Sequence, residues 1–286
     1  MEIKFTDLIP DGVIGKLYGK YCFEMNGNLG KEEFSALVRS SELSCVAAGE
    51  SGALLYAEWD GGCRVPVFGY FYDTEKTLSM LFESLAGRLG ARNYSVCLYA
   101  GDMAARNLFS MLGFGIMAEK GVRRIEKAEG KTAFDIKTLS RRETEERWDE
   151  VWSCTKGIID RLKESPVFYP GEEFTEDVYR DFYTDGGTSL HAAFEKDRVV
   201  GIIESNAEPY DPLGAPSANV GEAYVVPRLR GTGLAAALLA HAEAHEAARG
   251  AEYLWVEHGT ANPCARGFLN KHFDTVEYEM TREIKL

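Results

Sequence analysis

The stretch Val220–Ala244, VGEAYVVPRLRGTGLAAALLAHAEA, decides how this chain is read. It sets a β-branched and aromatic strand, a loop with Arg228, Arg230, Gly231 and Gly233, and a helix rich in Ala and Leu in direct succession. Glycines let a backbone approach a ligand, the free N–H groups of a helix's first turn point at it, and the helix dipole adds partial positive charge. The order suits a diphosphate, and the two arginines supply a local basic site. Gly231, Gly233 and Ala236 also satisfy GxGxxA, with Glu252 or Glu257 about where a ribose-binding acid would stand. Only 50 residues follow Ala236, too few for the rest of a doubly wound sheet, and three strands precede the loop in meander order. The dinucleotide reading therefore ranks low.

Around this stretch the second half forms a series. A helical section, SRRETEERWDEVWSCTKGIIDRL, leads into strands SLHAAFEKD, RVVGIIESNAE and VGEAYVVP. After the glycine loop and its helix come strand YLWVEHG, helix NPCARGFLNKHF and strand VEYEMTREI. The first half runs in the same order, with strands at Cys45 to Gly49, Ala53 to Trp59 and Val65 to Tyr72. A helix with Leu78, Leu81, Phe82, Leu85 and Leu89 at helical spacing follows, then SVCLYA, helix DMAARNLFSMLGF and a strand ending near VRRI. Asp102 stands 160 residues before Asn262, Ala105 and Arg106 stand 160 before Ala265 and Arg266, and Phe114 stands 159 before Phe273. A near-constant offset across several elements indicates an internal duplication. The boundary falls in EKAEGKTA, residues 126–133, giving domains 1–130 and 131–286.

Composition bounds the function. The 286 residues exceed what one hydrophobic core usually organises, and 45% hydrophobic with 27% charged residues reads as globular. The net charge of −13 argues against nucleic acid as the main partner. Residues 1–130 carry 14 basic and 17 acidic side chains, residues 131–286 carry 18 and 28, and an acidic region favours cationic ligands such as amines. Six cysteines without CxxC pairs suggest buried, reduced thiols rather than a zinc site or a disulfide framework. MEIKFTDLIPDG has no apolar core behind a basic end, and LAAALLA is far short of a membrane span. The reading is a cytoplasmic protein without a membrane partner.

Arg228 through Gly233 meet [Q/R]xxGx[G/A], and NPCARGFLNKHF sets an Asn, an Ala, an aromatic position and a terminal Phe on the helix after the next strand. Together with VVP before the loop and LAAALL after it, these residues resemble the GNAT (GCN5-related N-acetyltransferase) family, over roughly residues 132 to 286. The first half resembles a diverged copy. The resemblance implies an α/β fold of two tandem GNAT-like domains, each a mixed, mostly antiparallel central sheet flanked by helices. It also implies acyl-CoA use, with acetyl-CoA as donor and no metal. In that family the strand before the loop splays from its parallel neighbour, and pantetheine pairs with the exposed backbone, here Tyr224, Val225 and Val226. Arg228, Arg230, Gly231, Thr232, Gly233 and Leu234 would then hold the pyrophosphate.

Acyl transfer to an amine needs an acceptor for the amine proton, donors at the thioester oxygen and an acid for the departing thiolate. The family often takes its base from the strand before the loop, where Glu222 stands. Alternation puts Glu222 on the face of Tyr224 and Val226, and the bland reading is an exposed strand carboxylate. Glu257 and His258, closing the neighbouring strand, are the reserve catalytic candidates. Leu269 occupies the position where the family often has a thiolate-protonating tyrosine and Phe268 beside it cannot donate, so Tyr224 or water would do so, or the thiolate would leave unprotonated. Asn262 would bond coenzyme amides, and Arg266 and Lys271 its phosphates, against helix capping and surface charge as the plain alternative. His241 and His245 lack an HExxH arrangement and read as a solvated helix face, with Glu243 facing away. Trp148, Trp152, Phe168 and Tyr169 lie where this fold often forms an acceptor pocket, although aromatic stripes are more often core.

The first copy has FYDTEKT where the second has RLRGTG, so Asp73 and Glu75 would meet a pyrophosphate with negative charge and no glycine. It is expected to bind no coenzyme, and to cover the second domain, wall the acceptor pocket or stabilise the fold. The expected function is acyl-CoA-dependent transfer, by family default of acetyl, to a primary amine of a small molecule, with a homodimer left open. A noncatalytic acyl-CoA-binding or sensing protein is the alternative. Aminoacyl transfer from charged tRNA is disfavoured by the intact loop and the charge.

Overall fold

A computed structural model describes residues 2–25, 27–59, 61–90, 92–126, 134–164 and 174–284. Most of the expected linker, with Phe168 and Tyr169, lies outside the described residues. In chain order the described elements begin with β1 (Lys4–Thr6), α1 (Asp11–Met25), α2 (Lys31–Ser40), β2 (Ser44–Ala47), β3 (Gly52–Trp59), β4 (Gly62–Val65) and β5 (Tyr70–Tyr72). They continue with α3 (Glu75–Leu89), β6 (Asn93–Tyr99), α4 (Met103–Met111), β7 (Gly115–Arg124), β8 (Asp135–Leu139), α5 (Arg141–Glu146) and α6 (Trp148–Lys163). The rest are α7 (Glu176–Thr184), β9 (Thr188–Glu195), β10 (Arg198–Asn206), β11 (Ser217–Val225), α8 (Leu234–Ala248), β12 (Tyr253–Gly259), α9 (Pro263–Leu269) and β13 (Asp274–Glu283). No helix among the described residues is long and apolar enough to cross a membrane.

Two compact units emerge. The first comprises Met1–Gly121, Asp211–Ala215 and Thr275–Leu286; the second comprises Val122–Tyr210 and Pro216–Asp274. A single cut at 130/131 therefore does not describe the packing, because the C-terminal strand lies with the first unit. There β13 pairs antiparallel with β6, from Glu277 opposite Tyr99 to Glu283 opposite Asn93. Met280 is fully buried in that unit's core, and Glu277 is paired with Lys120 at 3.2 Å.

In the first unit the strand order is β1-β2-β3-β4-β6-β13-β7, with β5 joined to β3. The segment read as one strand, Val65 to Tyr72, is broken into β4 and β5. Pro66 cannot donate to a ladder, and its carbonyl accepts the Gly69 N–H at 2.8 Å in a tight turn. Helix α3 buries Leu78, Leu81, Phe82 and Leu85, as their spacing requires. Its ends are built from the sequence: the Thr74 hydroxyl accepts the Thr77 N–H at 3.2 Å, and Gly90 closes the helix at φ +57°. Phe82 meets Tyr94, Phe109 and Phe114 edge-on at 5.2–5.6 Å, so its truncation to Ala would cost about 3–5 kcal/mol.

In the second unit β8, β9, β10 and β11 pair antiparallel, and β11 pairs parallel with β12. One sheet face carries α8, whose Leu234, Leu238, Leu239 and Ala242 pack on Val200, Ile203, Val220 and Leu254. The other carries α6 and α7, whose Val151, Ile159, Tyr179 and Tyr183 pack on Leu190, Ala192 and Ile202. The expected long helical section divides at Arg147, which adopts φ −113°, ψ 19° between α5 and α6.

Two expectations are corrected by this packing. His241 and His245 are not a solvated face: both point at β9, their rings 5.3 and 5.0 Å from that of buried His191. Glu243, between them, is buried and paired with Arg123 at 3.0 Å. Four cysteines are buried as expected, whereas Cys22 and Cys264 are exposed, and all six are free.

Candidate functional site

The site is built where β11 leaves its neighbour. The parallel pairing with β12 covers Ser217, Ala218 and Asn219, opposite Tyr253, Leu254 and Trp255. Among the described residues, the β12 side of β11 carries no strand register from Val220 onward, so that edge is open. A bulge lies at the same place: Ile203 and Ser205 of β10, two residues apart, oppose Ala223 and Val220 of β11, three apart. The extra residue in the Gly221–Glu222 region bends the strand away and re-aims its side chains.

After Val225 the chain makes a short 3-10 turn at Pro227–Leu229 and enters α8 through Arg230–Gly233. Gly231 and Gly233 have φ of +77° and +92°, and a Cβ at either would meet nothing within 4 Å. Left-handed backbone, not crowding, requires glycine at both. Gly233 is the N-cap of α8 and, having no side chain, caps none of the first-turn N–H groups. The Thr232 hydroxyl is turned back to the Leu229 carbonyl at 2.7 Å, and Leu234, 1% exposed, anchors the helix start. Arg230 donates Nε to the Val225 carbonyl at 3.1 Å and lies 5.5 Å from the Tyr224 ring. Arg228 is held by Glu195 in a bidentate pair at 3.0 and 2.5 Å. Both partners are exposed, so solvent screens the pair and it can yield to an anion.

Glu222 sits on the α6/α7 face with Tyr224, whose ring packs in that core. The Tyr179 hydroxyl donates to Glu222 Oε1 at 2.8 Å, and that of Tyr183 to Oε2 at 3.4 Å. Burial raises the Glu222 carboxyl above the ordinary range, and the two tyrosines oppose the rise by bonding the charged form. Glu222 is therefore a half-buried, hydrogen-bonded carboxylate rather than an exposed one. Gly157 of α6 makes room for Tyr224, since a Cβ there would lie 2.4 Å from the ring. Val226 does not share this face: the strand ends at Val225, and Val226 packs with the α8 core.

The remaining sequence candidates are spread around the opening. Glu257 and His258 close β12; Glu257 is exposed, and His258 lies half-buried with Nδ1 3.3 Å from the Gly259 carbonyl. Asn262 Oδ1 accepts the Ala265 N–H at 3.2 Å and caps α9, as Asp102 caps α4 through Ala105 at 2.9 Å. Thus the 160-residue offset coincides with a repeated helix start. Arg266 and Lys271 are exposed. Phe268 and Leu269 pack against the α8 core, Phe268 also lying 4.7 Å from the His272 ring. Two residues that hold Glu222 were missed in the sequence: Tyr179 and Tyr183. The aromatics Tyr179, Phe182 and Tyr183 stand at helical spacing in EDVYRDFYT, a signal that was available.

Residues 156–274 match the family model described as Acetyltransferase (GNAT) family. A GCN5-related N-acetyltransferase from Sphaerobacter thermophilus is similar in structure over 99% of this chain and 96% of that one, at 15% identity and a TM-score of 0.60. An acetyltransferase from GNAT family from Colwellia psychrerythraea is similar over 100% of both chains, at 14% identity and a TM-score of 0.51. A tandem GNAT protein from the clavulanic acid biosynthesis pathway is similar over 99% of this chain and 98% of that one, at 15% identity and a TM-score of 0.50. No curated protein matches the chain. The chain thus has a tandem GNAT fold. The residues that match the GNAT family model, 156–274, fall largely in the second unit.

Proposed function

We propose that the protein is an acyl-CoA-dependent N-acyltransferase that moves acetyl from acetyl-CoA to a primary amine of a small molecule. The observation that carries this reading is the coincidence of three features at one strand end. These are the open edge of β11, the α8 start without a side-chain cap, and Glu222 held by two tyrosines. These residues fit a coenzyme: a strand edge for the pantetheine amides, and left-handed glycines, helix N–H groups and Arg228 and Arg230 for the diphosphate.

The thioester supplies an activated acyl carbon. The chain's own residues position the amine and take its proton. The amine nitrogen attacks the thioester carbon and the N–C bond forms; Glu222 accepts the amine proton; the C–S bond breaks and sulfur leaves as thiolate. Tyr224, on the face of Glu222, returns a proton to that thiolate, a role for which Leu269 has no donor. The acidic balance of residues 131–286 favours an acceptor that arrives as a cation and gives one proton to solvent before its neutral nitrogen attacks.

The first unit binds no coenzyme in this reading. Its α3 start is already satisfied by Thr74, and Asp73 accepts the Thr77 hydroxyl at 2.5 Å, so an anion would meet a carboxylate and a capped helix.

Glu222→Gln is the test. Acetyl-CoA affinity should be unchanged by calorimetry, while thiol release in the presence of an amine acceptor falls about 100-fold or more. Full turnover in the variant would remove Glu222 as base and turn attention to Glu257 and His258. Coenzyme binding with no thiol release from the unaltered protein, across a panel of primary amines, would favour the noncatalytic acyl-CoA-binding reading.

A further inference from the structure

A second carboxyl group is built against the back of the base. Glu204 lies on β10 opposite the extra residue of β11 and is 5% exposed. Its Oε1 accepts the Glu222 backbone N–H at 3.1 Å, and its Oε2 is buried and has no hydrogen-bond partner among the described residues. A Cβ at position 221 would fall 1.9 Å from Glu204 Oε1, so Gly221 is what allows the carboxyl group into the bulge. The groups that act on Glu204 are Glu222 from β11, and from α7 Tyr179 and Tyr183, both of which feel its charge. α6, packed on the same strands, brings the Thr155 hydroxyl to Tyr183. Among the described residues no cation pairs with Glu204. Two adjacent carboxyl groups, one buried and one half-buried, without a cation hold one charge more readily than two.

We propose that Glu204 is a positioning residue for Glu222: it carries the pair's one proton at neutral pH, and its Oε1 fixes the bulge that sets the ionised Glu222 between Tyr179 and Tyr183. This deepens the reading of Glu222 as base and rests on it. The division follows from the bonding, since Glu222 receives two hydroxyl donors whereas Glu204 receives one peptide N–H. Burial, with the Glu222 charge added, pushes Glu204 up to about 8, in agreement. The two protons then leave in steps that belong to the pair.

Infrared difference spectroscopy of the full chain, titrated from pH 6 to 10, reads the proton directly and does not depend on turnover. A protonated-carboxyl C=O stretch should be present at pH 7, disappear on the alkaline side, be absent in Glu204→Gln and persist in Glu222→Gln. Kinetics supply the second readout. Glu204→Gln keeps the acceptor for the Glu222 N–H and should stay within about threefold of the unaltered kcat at pH 7, losing only the alkaline step of the pH profile. Glu204→Ala frees the bulge and should lower kcat about 100-fold at unchanged KM for acetyl-CoA. No such stretch at pH 7, or one that survives in Glu204→Gln, overturns the proposal, as does equal loss of kcat in the Gln and Ala variants. If the unaltered protein releases no thiol with any amine, the reading of Glu222 as base fails, while the infrared band still decides where the proton sits.

Discussion

Acidification should destabilise the second unit through His191, by an amount its surroundings fix. The ring is fully buried, with Nδ1 2.9 Å from Thr138 Oγ1 and Nε2 2.9 Å from Ser205 Oγ. Ser205 donates its hydrogen to Glu246 Oε1 at 2.5 Å, so its oxygen accepts from His191 Nε2–H. His191 Nδ1 then accepts from Thr138, whose oxygen in turn accepts from His241 Nε2 at 3.1 Å. The chain of bonds is complete with a neutral His191, and a second proton on the ring has no acceptor. Burial, with His245 and His241 adding repulsion, pushes the imidazole down from 6.5 to about 3. The folded value lies below the unfolded one, so the unfolded chain binds a proton that the native state refuses. Stability is therefore full above pH 6.5 and is lost as pH falls toward 3. At pH 5.5 the loss from this one group is about 1.4 kcal/mol, one pKa unit of linkage. Urea unfolding followed by tryptophan fluorescence at pH 7.5 and 5.5 measures it, since Trp148, Trp152 and Trp255 all lie in the second unit. His191→Gln should show a pH-dependent loss smaller by about 1.4 kcal/mol, whatever its stability at pH 7.5. Equal losses in the two proteins would refute the neutral, buried ring.

Three other outcomes are expected. Arg228→Glu sets a third like charge beside Glu195 and the anion path, and acetyl-CoA affinity by calorimetry should fall about tenfold or more with the circular dichroism unchanged. Tyr179→Phe removes the shorter of the two hydrogen bonds that hold Glu222 ionised, so the acid limb of the kcat/KM profile should move to higher pH. A limb that stays in place would mean that Glu222 does not set it. Leu238→Ala opens a void in the α8 core, where Leu238 is 1% exposed, and should cost about 2–5 kcal/mol in urea unfolding.

The glycine loop and the order of strands were legible because their chemistry is local. Positive φ at Gly231 and Gly233, the Ala-rich run and the alternating strands each leave a mark within a few residues. Glu204 left none: in RVVGIIESN it reads as the polar end of a strand, and only the bulge two strands' length away turns it into a buried partner of Glu222. The same limit hid the true neighbours of His241, Glu243 and His245, since HAEAH on an alanine-rich helix gives no strong apolar stripe to say which side faces the sheet. The pairing of β13 with β6 was invisible for a related reason, because alternation in VEYEMTRE marks a strand but not which edge it joins. Pro66 and Gly69, by contrast, did announce the break between β4 and β5, and the run Val65 to Tyr72 was read through them.

The most direct test of coenzyme binding by the second unit alone is calorimetric titration of the full chain with acetyl-CoA, beside Gly231→Asp. The variant puts a carboxylate on left-handed backbone in the anion path and leaves the sheet untouched. One site per chain, weakened about tenfold or more in the variant, is the predicted result. Two sites, no binding, or an affinity indifferent to Gly231→Asp would contradict it.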